Sequence, residues 1–104
     1  MPVATMLGRE IHVDEEGFLT DPSEWDEELA KQLATNIGLE LTDRHFEAIR
    51  FAREDQAAQG ETPTLRRMQT VGGFPTKELF GLFPKKPAKK LSYVAGLQKP
   101  VGCV

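Results

Sequence analysis

Gly8-Arg9-Glu10-Ile11-His12-Val13-Asp14-Glu15-Glu16-Gly17-Phe18-Leu19-Thr20-Asp21-Pro22-Ser23-Glu24-Trp25 is the stretch that decides how this chain folds. Ile11 and Val13 alternate with Glu10, His12 and Asp14, the period of a half-buried strand. Glu15-Glu16-Gly17 supplies a turn and Phe18-Leu19 starts a return strand, so residues 9–20 are predicted to form a β-hairpin. Asp21-Pro22-Ser23 then signals a helix start. Proline tolerates the first helical position, and Glu24, Asp26, Glu27 and Glu28 favour the positive end of the helix dipole. Trp25, Leu29, Leu33 and Ile37 recur at a helical spacing, with Ala30 and Ala34 widening the apolar stripe, until Gly38 ends the helix.

Downstream the chain reads as a succession of short helices. Thr42 can cap a second helix that runs to about Gln59 before Gly60, burying Phe46, Ile49, Ala52 and Phe51. Thr62-Pro63-Thr64 opens a third through Leu65 and Met68, and Gly72-Gly73-Phe74-Pro75 breaks it. Thr76 is expected to cap a segment containing Leu79, Phe80, Leu82 and Phe83, which Pro84 ends. Pro87 begins a last helix with Leu91, Tyr93, Val94 and Ala95, closed by Gly96. The predicted fold is therefore mainly α: an N-terminal β-hairpin, an orthogonal bundle of short helices over residues 1–95, and a flexible C-terminal arm over 96–104 that packs lightly.

Composition narrows the function. The 104 residues suit one domain with one modest core. No apolar run approaches the roughly 20 residues of a membrane span, and Met1-Pro2-Val3-Ala4-Thr5-Met6-Leu7 lacks the pattern of a signal peptide. A single cysteine forbids an internal disulfide, so a cytoplasmic protein is expected. The net charge of -3 conceals an asymmetry: residues 79–104 hold Lys85, Lys86, Lys89, Lys90 and Lys99 and no acid, whereas residues 1–78 carry a charge of -8. Such a tail suits an acidic or polyanionic partner, although solvated helix faces account for lysines equally well.

One residue stands out chemically. Cys103 sits beside Gly102, with no apolar stripe to place it in a core, in a terminal segment of the kind that is usually exposed. A lone cysteine is ordinarily a small buried hydrophobe. An exposed thiol in a reducing compartment is a liability unless it is used. The nine residues from Gly96 to Val104 can extend up to about 30 Å, with Pro100 stiffening the chain and Gly102 freeing it. A neighbouring terminal carboxylate disfavours the thiolate and Lys99 favours it. These properties suit a sulfur nucleophile that visits other proteins' active sites.

Other chemistry is poorly equipped. His12 and His45 lie on different elements and neither neighbours Cys103, so neither a Cys–His dyad nor a metal site is expected. No cofactor is called for, since Gly72-Gly73 is too short for a phosphate loop. The helix 42–59, Gly60 and the Arg66-Arg67 helix have the order of a helix–turn–helix. The first of these carries Asp43, Glu47, Glu54 and Asp55, however, and two packed core helices explain the pair better.

The run Leu82-Phe83-Pro84-Lys85-Lys86-Pro87-Ala88-Lys89-Lys90, followed by Ala95-Gly96-Leu97-Gln98-Lys99-Pro100-Val101-Gly102-Cys103-Val104, resembles the DsrC/TusE family of sulfur-relay proteins. Gly8-Arg9-Glu10-Ile11, Gly17-Phe18-Leu19, Trp25, Ile49-Arg50-Phe51 and Pro63 extend the resemblance over nearly the whole chain. It implies a carrier, rather than a stand-alone catalyst, that holds a persulfide on Cys103. Gly96, Pro100 and Gly102 would shape the arm, and Lys85, Lys89, Lys90 and Lys99 would dock it. TusE-like members take sulfur from relay proteins and deliver it to the enzyme that makes 2-thiouridine at the tRNA wobble position. DsrC-like members serve dissimilatory sulfite reductase or sulfur oxidation, and a DNA-binding regulatory relative is a further alternative. Three departures are visible. Ser92 occupies the position of the second cysteine of DsrC, the segment between Pro63 and Leu82 is shorter, and Gln98 replaces a proline. The first implies a one-thiol carrier.

Overall fold

Residues 3–100 are described by the computed structural model. Strands β1 (Val3–Met6) and β2 (Arg9–His12) pair antiparallel with Ala4 opposite Ile11 and Met6 opposite Arg9. Leu7 and Gly8 form the two-residue turn between them, both with positive φ (54° and 72°), the pattern of a type I′ hairpin turn. The hairpin thus lies earlier than residues 9–20. The expected return strand contributes only one bridge, Val13 to Leu19. Between these two residues Asp14 organises a tight loop, its carboxylate accepting from the backbone N–H of Glu16 (2.8 Å) and Phe18 (3.0 Å).

The first helical segment divides in two. Pro22–Glu24 forms one 3₁₀ turn, Trp25 is extended, and α1 spans Glu27–Asn36 with Asp26 capping the Leu29 N–H at 2.8 Å. Asp21 caps only the short turn, and a second N-cap at Asp26 starts α1 later than expected at Pro22 and takes Trp25 off the helix. Leu29, Ala30, Leu33 and Ala34 are buried as the stripe requires, but Ile37 at the C-cap is 36% exposed.

Helix α2 (Asp43–Gln59) begins as read, with Thr42 and His45 forming a reciprocal capping box, and ends on Gly60. Helix α3 (Leu65–Thr70) is capped by Thr64. In α4 (Thr76–Leu82) Pro75 holds the N-cap position, and Thr76 instead donates its hydroxyl to Gln69 Oε1 at 2.7 Å. Helix α5 (Pro87–Val94) packs against α1, α2 and α4. Ile11, Val13 and Leu19 join Leu29, Leu33, Ile49, Met68, Phe83, Leu91 and Val94 in one core. Among the described residues no helix is long and apolar enough to cross a membrane.

Candidate functional site

Helix α5 ends inside the protein, and its last carbonyls must find donors there. Gly96, with φ at 69°, turns the chain into a Schellman motif. The Leu97 N–H reaches Ser92 O at 3.0 Å and the Gly96 N–H reaches Tyr93 O at 3.4 Å. The next two carbonyls are satisfied by distant side chains. Trp25 donates its indole Nε1–H to Val94 O at 2.8 Å, and Arg53 donates to Ala95 O at 2.7 Å. Arg53 also donates to Pro22 O at 3.0 Å, and its guanidinium lies 4.2 Å from the centre of the Trp25 ring, a cation–π geometry. Burial pulls the Arg53 guanidinium below its ordinary pKa. Trp25 rests directly on Gly96: a Cβ there would stand 2.5 Å from Trp25 Cδ1.

Beyond this clamp the chain stays attached for four more residues. Leu97 is 1% exposed, Gln98 and Lys99 are exposed, and Pro100 is buried. Thr62 donates its hydroxyl to Gln98 O at 2.9 Å. Lys99 Nζ pairs with Glu16 at 2.9 Å, and Lys89 reaches the same carboxylate at 3.5 Å. The hydrogen bond from Lys99, with help from Lys89, holds the Glu16 carboxyl below its ordinary pKa. The expectation of light packing from Gly96 onward is therefore corrected for residues 96–100, because Leu97 joins the hydrophobic core and Pro100 is buried. Gly102 and Cys103 lie outside the described residues. Cys103 lies three positions beyond Pro100, a span of at most about 10 Å.

The remaining candidates have distinct surroundings. Ser92 faces inward on α5, 2% exposed, and donates its hydroxyl to Ala88 O at 2.7 Å. Lys89 and Lys90 border a shallow pocket with Phe18, Ile37 and Tyr93, joined by Lys86, which the docking set did not include. Lys85 stands apart in a left-handed conformation (φ 77°) before α5. His12 is held by Glu24 at 2.7 Å, which raises its pKa. His45 accepts from the Thr42 N–H at 3.0 Å and donates to Leu82 O at 2.7 Å, so the neutral Nε2–H tautomer satisfies both contacts. Both histidines serve local structure. In α3, Arg67 is committed to Asp55 at 2.6 Å, which leaves Arg66 as the helix's other arginine and weakens the helix–turn–helix reading.

Trp25, Arg53, Thr62 and Glu16 were not legible as neighbours of the C-terminal segment. Trp25 and Val94 are separated by 69 positions, and nothing local in a sequence pairs them.

A helical protein that presents its C-terminal segment from a clamped helix end is the class these features define. The family described as DsrC like protein matches residues 5–104. The sulfurtransferase TusE of Salmonella typhimurium and that of Escherichia coli are each 38% identical to it over 106 residues, covering 93% of this chain and 95% of theirs. Among solved structures, DsrC of Allochromatium vinosum superposes with a TM-score of 0.85 at 35% identity, covering 98% of this chain and 97% of its own. The oxidized γ-subunit of dissimilatory sulfite reductase (DsrC) from Archaeoglobus fulgidus does so at 0.78 and 37% identity, covering 99% and 100%. The chain belongs to the DsrC/TusE family.

Proposed function

We propose that this protein is a cytoplasmic sulfur carrier that accepts a sulfane sulfur as a persulfide on Cys103 and passes it to a partner enzyme, in a relay leading to 2-thiouridine in tRNA. The observation that carries the reading is the built end of α5. Trp25 and Arg53 close its last carbonyls and fix the direction in which the chain leaves toward the protein's single cysteine. The similarity to the sulfurtransferases TusE supports it.

The chemistry needs one thiolate and no cofactor. The Cys103 thiolate attacks the terminal sulfur of a donor persulfide. A sulfur–sulfur bond forms at Cys103 as the donor's bond breaks, and the donor leaves as a thiolate. Delivery repeats the exchange with an acceptor thiolate, so neither half requires an external oxidant or reductant. Gly102 and Pro100 shape the approach, and Lys89, Lys90 and Lys99 attract an acidic surface. Ser92 cannot form a second sulfur bond, and its hydroxyl is already used inside α5. That supports a one-thiol cycle.

A second reading, service to a sulfite-reductase-type enzyme, is favoured by the likeness to the γ-subunit structure. Incubation with a persulfide donor followed by intact-mass measurement tests the carrier. Wild type should gain the mass of one sulfur atom, and Cys103→Ala should gain none. Equal labelling of the variant would refute the assignment. Transfer of the loaded sulfur to a tRNA-thiolating enzyme, compared with a sulfite reductase, separates the two readings.

A further inference from the structure

The pocket beside Lys99 has a construction that the sulfur chemistry does not require. Its volume is about 350 Å³, and its floor is apolar: Phe18, Tyr93 and Ile37. An engineered cavity of about 150 Å³ holds benzene, so there is room for one large side chain with part of its backbone. Ile37 was expected to face the core, yet it leaves α1 at the C-cap 36% exposed and lines this pocket instead. Lys86, Lys89 and Lys90 form the rim. Among the described residues Glu16 is the one acidic residue lining it, and its carboxylate is already shared by Lys99 and Lys89. Among the described residues neither Lys86 nor Lys90 has a carboxylate within ion-pair distance.

We infer that this pocket docks an acidic segment of a partner protein, with one large apolar side chain of that segment seated on Phe18, Tyr93 and Ile37. The inference rests on the carrier reading and names the chemistry of the partner's contact. Charge complementarity selects an acidic occupant: among the described residues the rim presents Lys86 and Lys90 without a carboxylate, and its one acid, Glu16, is shared by Lys89 and Lys99. The floor selects a protein over a nucleic acid. A base needs a free aromatic face on which to stack. Phe18 is 2% exposed and meets the Tyr93 ring edge to face at 5.7 Å, and the Tyr93 hydroxyl accepts from Asn36 at 3.3 Å. An aliphatic side chain makes no such demand. Position supports the same occupant, since Glu16 couples the rim to Lys99, one residue before Pro100. A partner seated here is thereby held beside the origin of the segment that leads to Cys103.

The test is a titration of the full chain, followed by NMR, with a synthetic peptide in which glutamates flank one leucine. Shifts should concentrate at Phe18, Ile37, Lys86, Lys89, Lys90 and Tyr93. Replacing the peptide's leucine by alanine should weaken binding about tenfold, in line with the loss of one seated side chain. The pair Lys86→Glu and Lys90→Glu should abolish it while circular dichroism shows the fold intact. Absence of binding, shifts centred elsewhere, or an unchanged affinity of the double variant would overturn the inference. So would tighter binding of a single-stranded RNA oligonucleotide at the same residues, or concentration-dependent burial of the pocket against a second copy in sedimentation. Loading of wild-type Cys103 by a small persulfide donor is measured in parallel. Loading without peptide binding removes the docking surface and leaves the carrier, whereas peptide binding without loading removes the carrier.

Discussion

Replacing Gly96 with alanine tests the clamp at the end of α5 most directly. Two costs arise. A non-glycine residue at φ near 69° costs roughly 1 kcal/mol. The new methyl would also stand 2.5 Å from Trp25 Cδ1 and 2.7 Å from its Cβ and Cγ, where ordinary contact begins near 3.4 Å. The indole must therefore withdraw by about 1 Å. That movement breaks its 2.8 Å bond to Val94 O, leaving a buried carbonyl unpaired at a cost of about 1–2 kcal/mol. It also pulls the ring from under Arg53, which forfeits about 0.5–1 kcal/mol. Together Gly96→Ala should destabilise by about 2.5–4 kcal/mol. Gly8→Ala is the internal control, for it has nearly the same φ (72°) and nothing within 4 Å of its added Cβ. It should cost only about 1 kcal/mol. Urea denaturation of both variants gives the difference, and in heating experiments Gly96→Ala should melt at least about 10 °C below wild type. If the two variants lie within about 0.5 kcal/mol of each other, Trp25 does not bear on Gly96 and the clamp is wrong.

Leu7→Asn should raise stability by up to about 1 kcal/mol, because leucine at φ 54° is strained where asparagine is tolerated and favoured in this turn. Unchanged or lower denaturation midpoints would contradict that turn. The Asp55 carboxyl is held below its ordinary pKa chiefly by its hydrogen bonds from Arg67. A depressed folded pKa contributes stability that is complete above the unfolded value near pH 3.9 and is lost as pH falls through the folded value. Asp55→Asn should therefore be less stable at neutral pH and show a shallower acid-side decline below about pH 4; parallel curves would place the carboxylate in solvent. Leu97→Ala should cost less than Leu91→Ala, although both leucines are buried (1% and 3% exposed). Release of the chain beyond Gly96 limits the first loss, whereas a core leucine on α5 forfeits about 2–5 kcal/mol; equal costs in urea denaturation would tie residues 97–100 to the core as firmly as the helix.

The parts legible in the sequence are those encoded over a few neighbouring positions. The Thr42 cap and Gly60, the Thr62-Pro63-Thr64 opening of α3, Pro87 at the head of α5 and Gly96 at its end are all local signals, and the structure places the elements where these signals predict them. The hairpin was misplaced because its turn carries Leu7 where asparagine or aspartate would have announced positive φ. The spacing of Trp25 to Leu29 and Leu33 predicts a helical position, but Asp26 caps the Leu29 N–H and leaves Trp25 outside α1. Cys103 in its terminal segment and Gly96 at the close of α5 are legible from their own neighbours, but the Trp25–Arg53 clamp and the Thr62 and Glu16 attachments join residues far apart in the chain. No periodicity carries that information.

The energetics of the C-terminal segment divide at Gly96. Before it, four acceptors and a stacked guanidinium hold the chain, and disturbing any one of them exposes unpaired buried groups. After it, attachment rests on the burial of Leu97 and Pro100, one Thr62 hydroxyl and the exposed Lys99–Glu16 pair. Burial of one leucine is worth about 2 kcal/mol, and exposed ion pairs add little. Freeing four residues returns backbone entropy of about 1 kcal/mol each. The two sides nearly balance, so a partner needs little binding energy to peel residues 97–100 away. On the proposed role this sets two working lengths for the arm. Anchored at Pro100, Cys103 reaches about 10 Å; released back to Gly96, the seven residues to Cys103 reach about 24 Å. A shallow acceptor site can be served without disturbing the protein. A deep one must first take Lys99 from Glu16, the carboxylate at the edge of the lysine-rimmed pocket, so docking there and lengthening of the arm draw on the same contact.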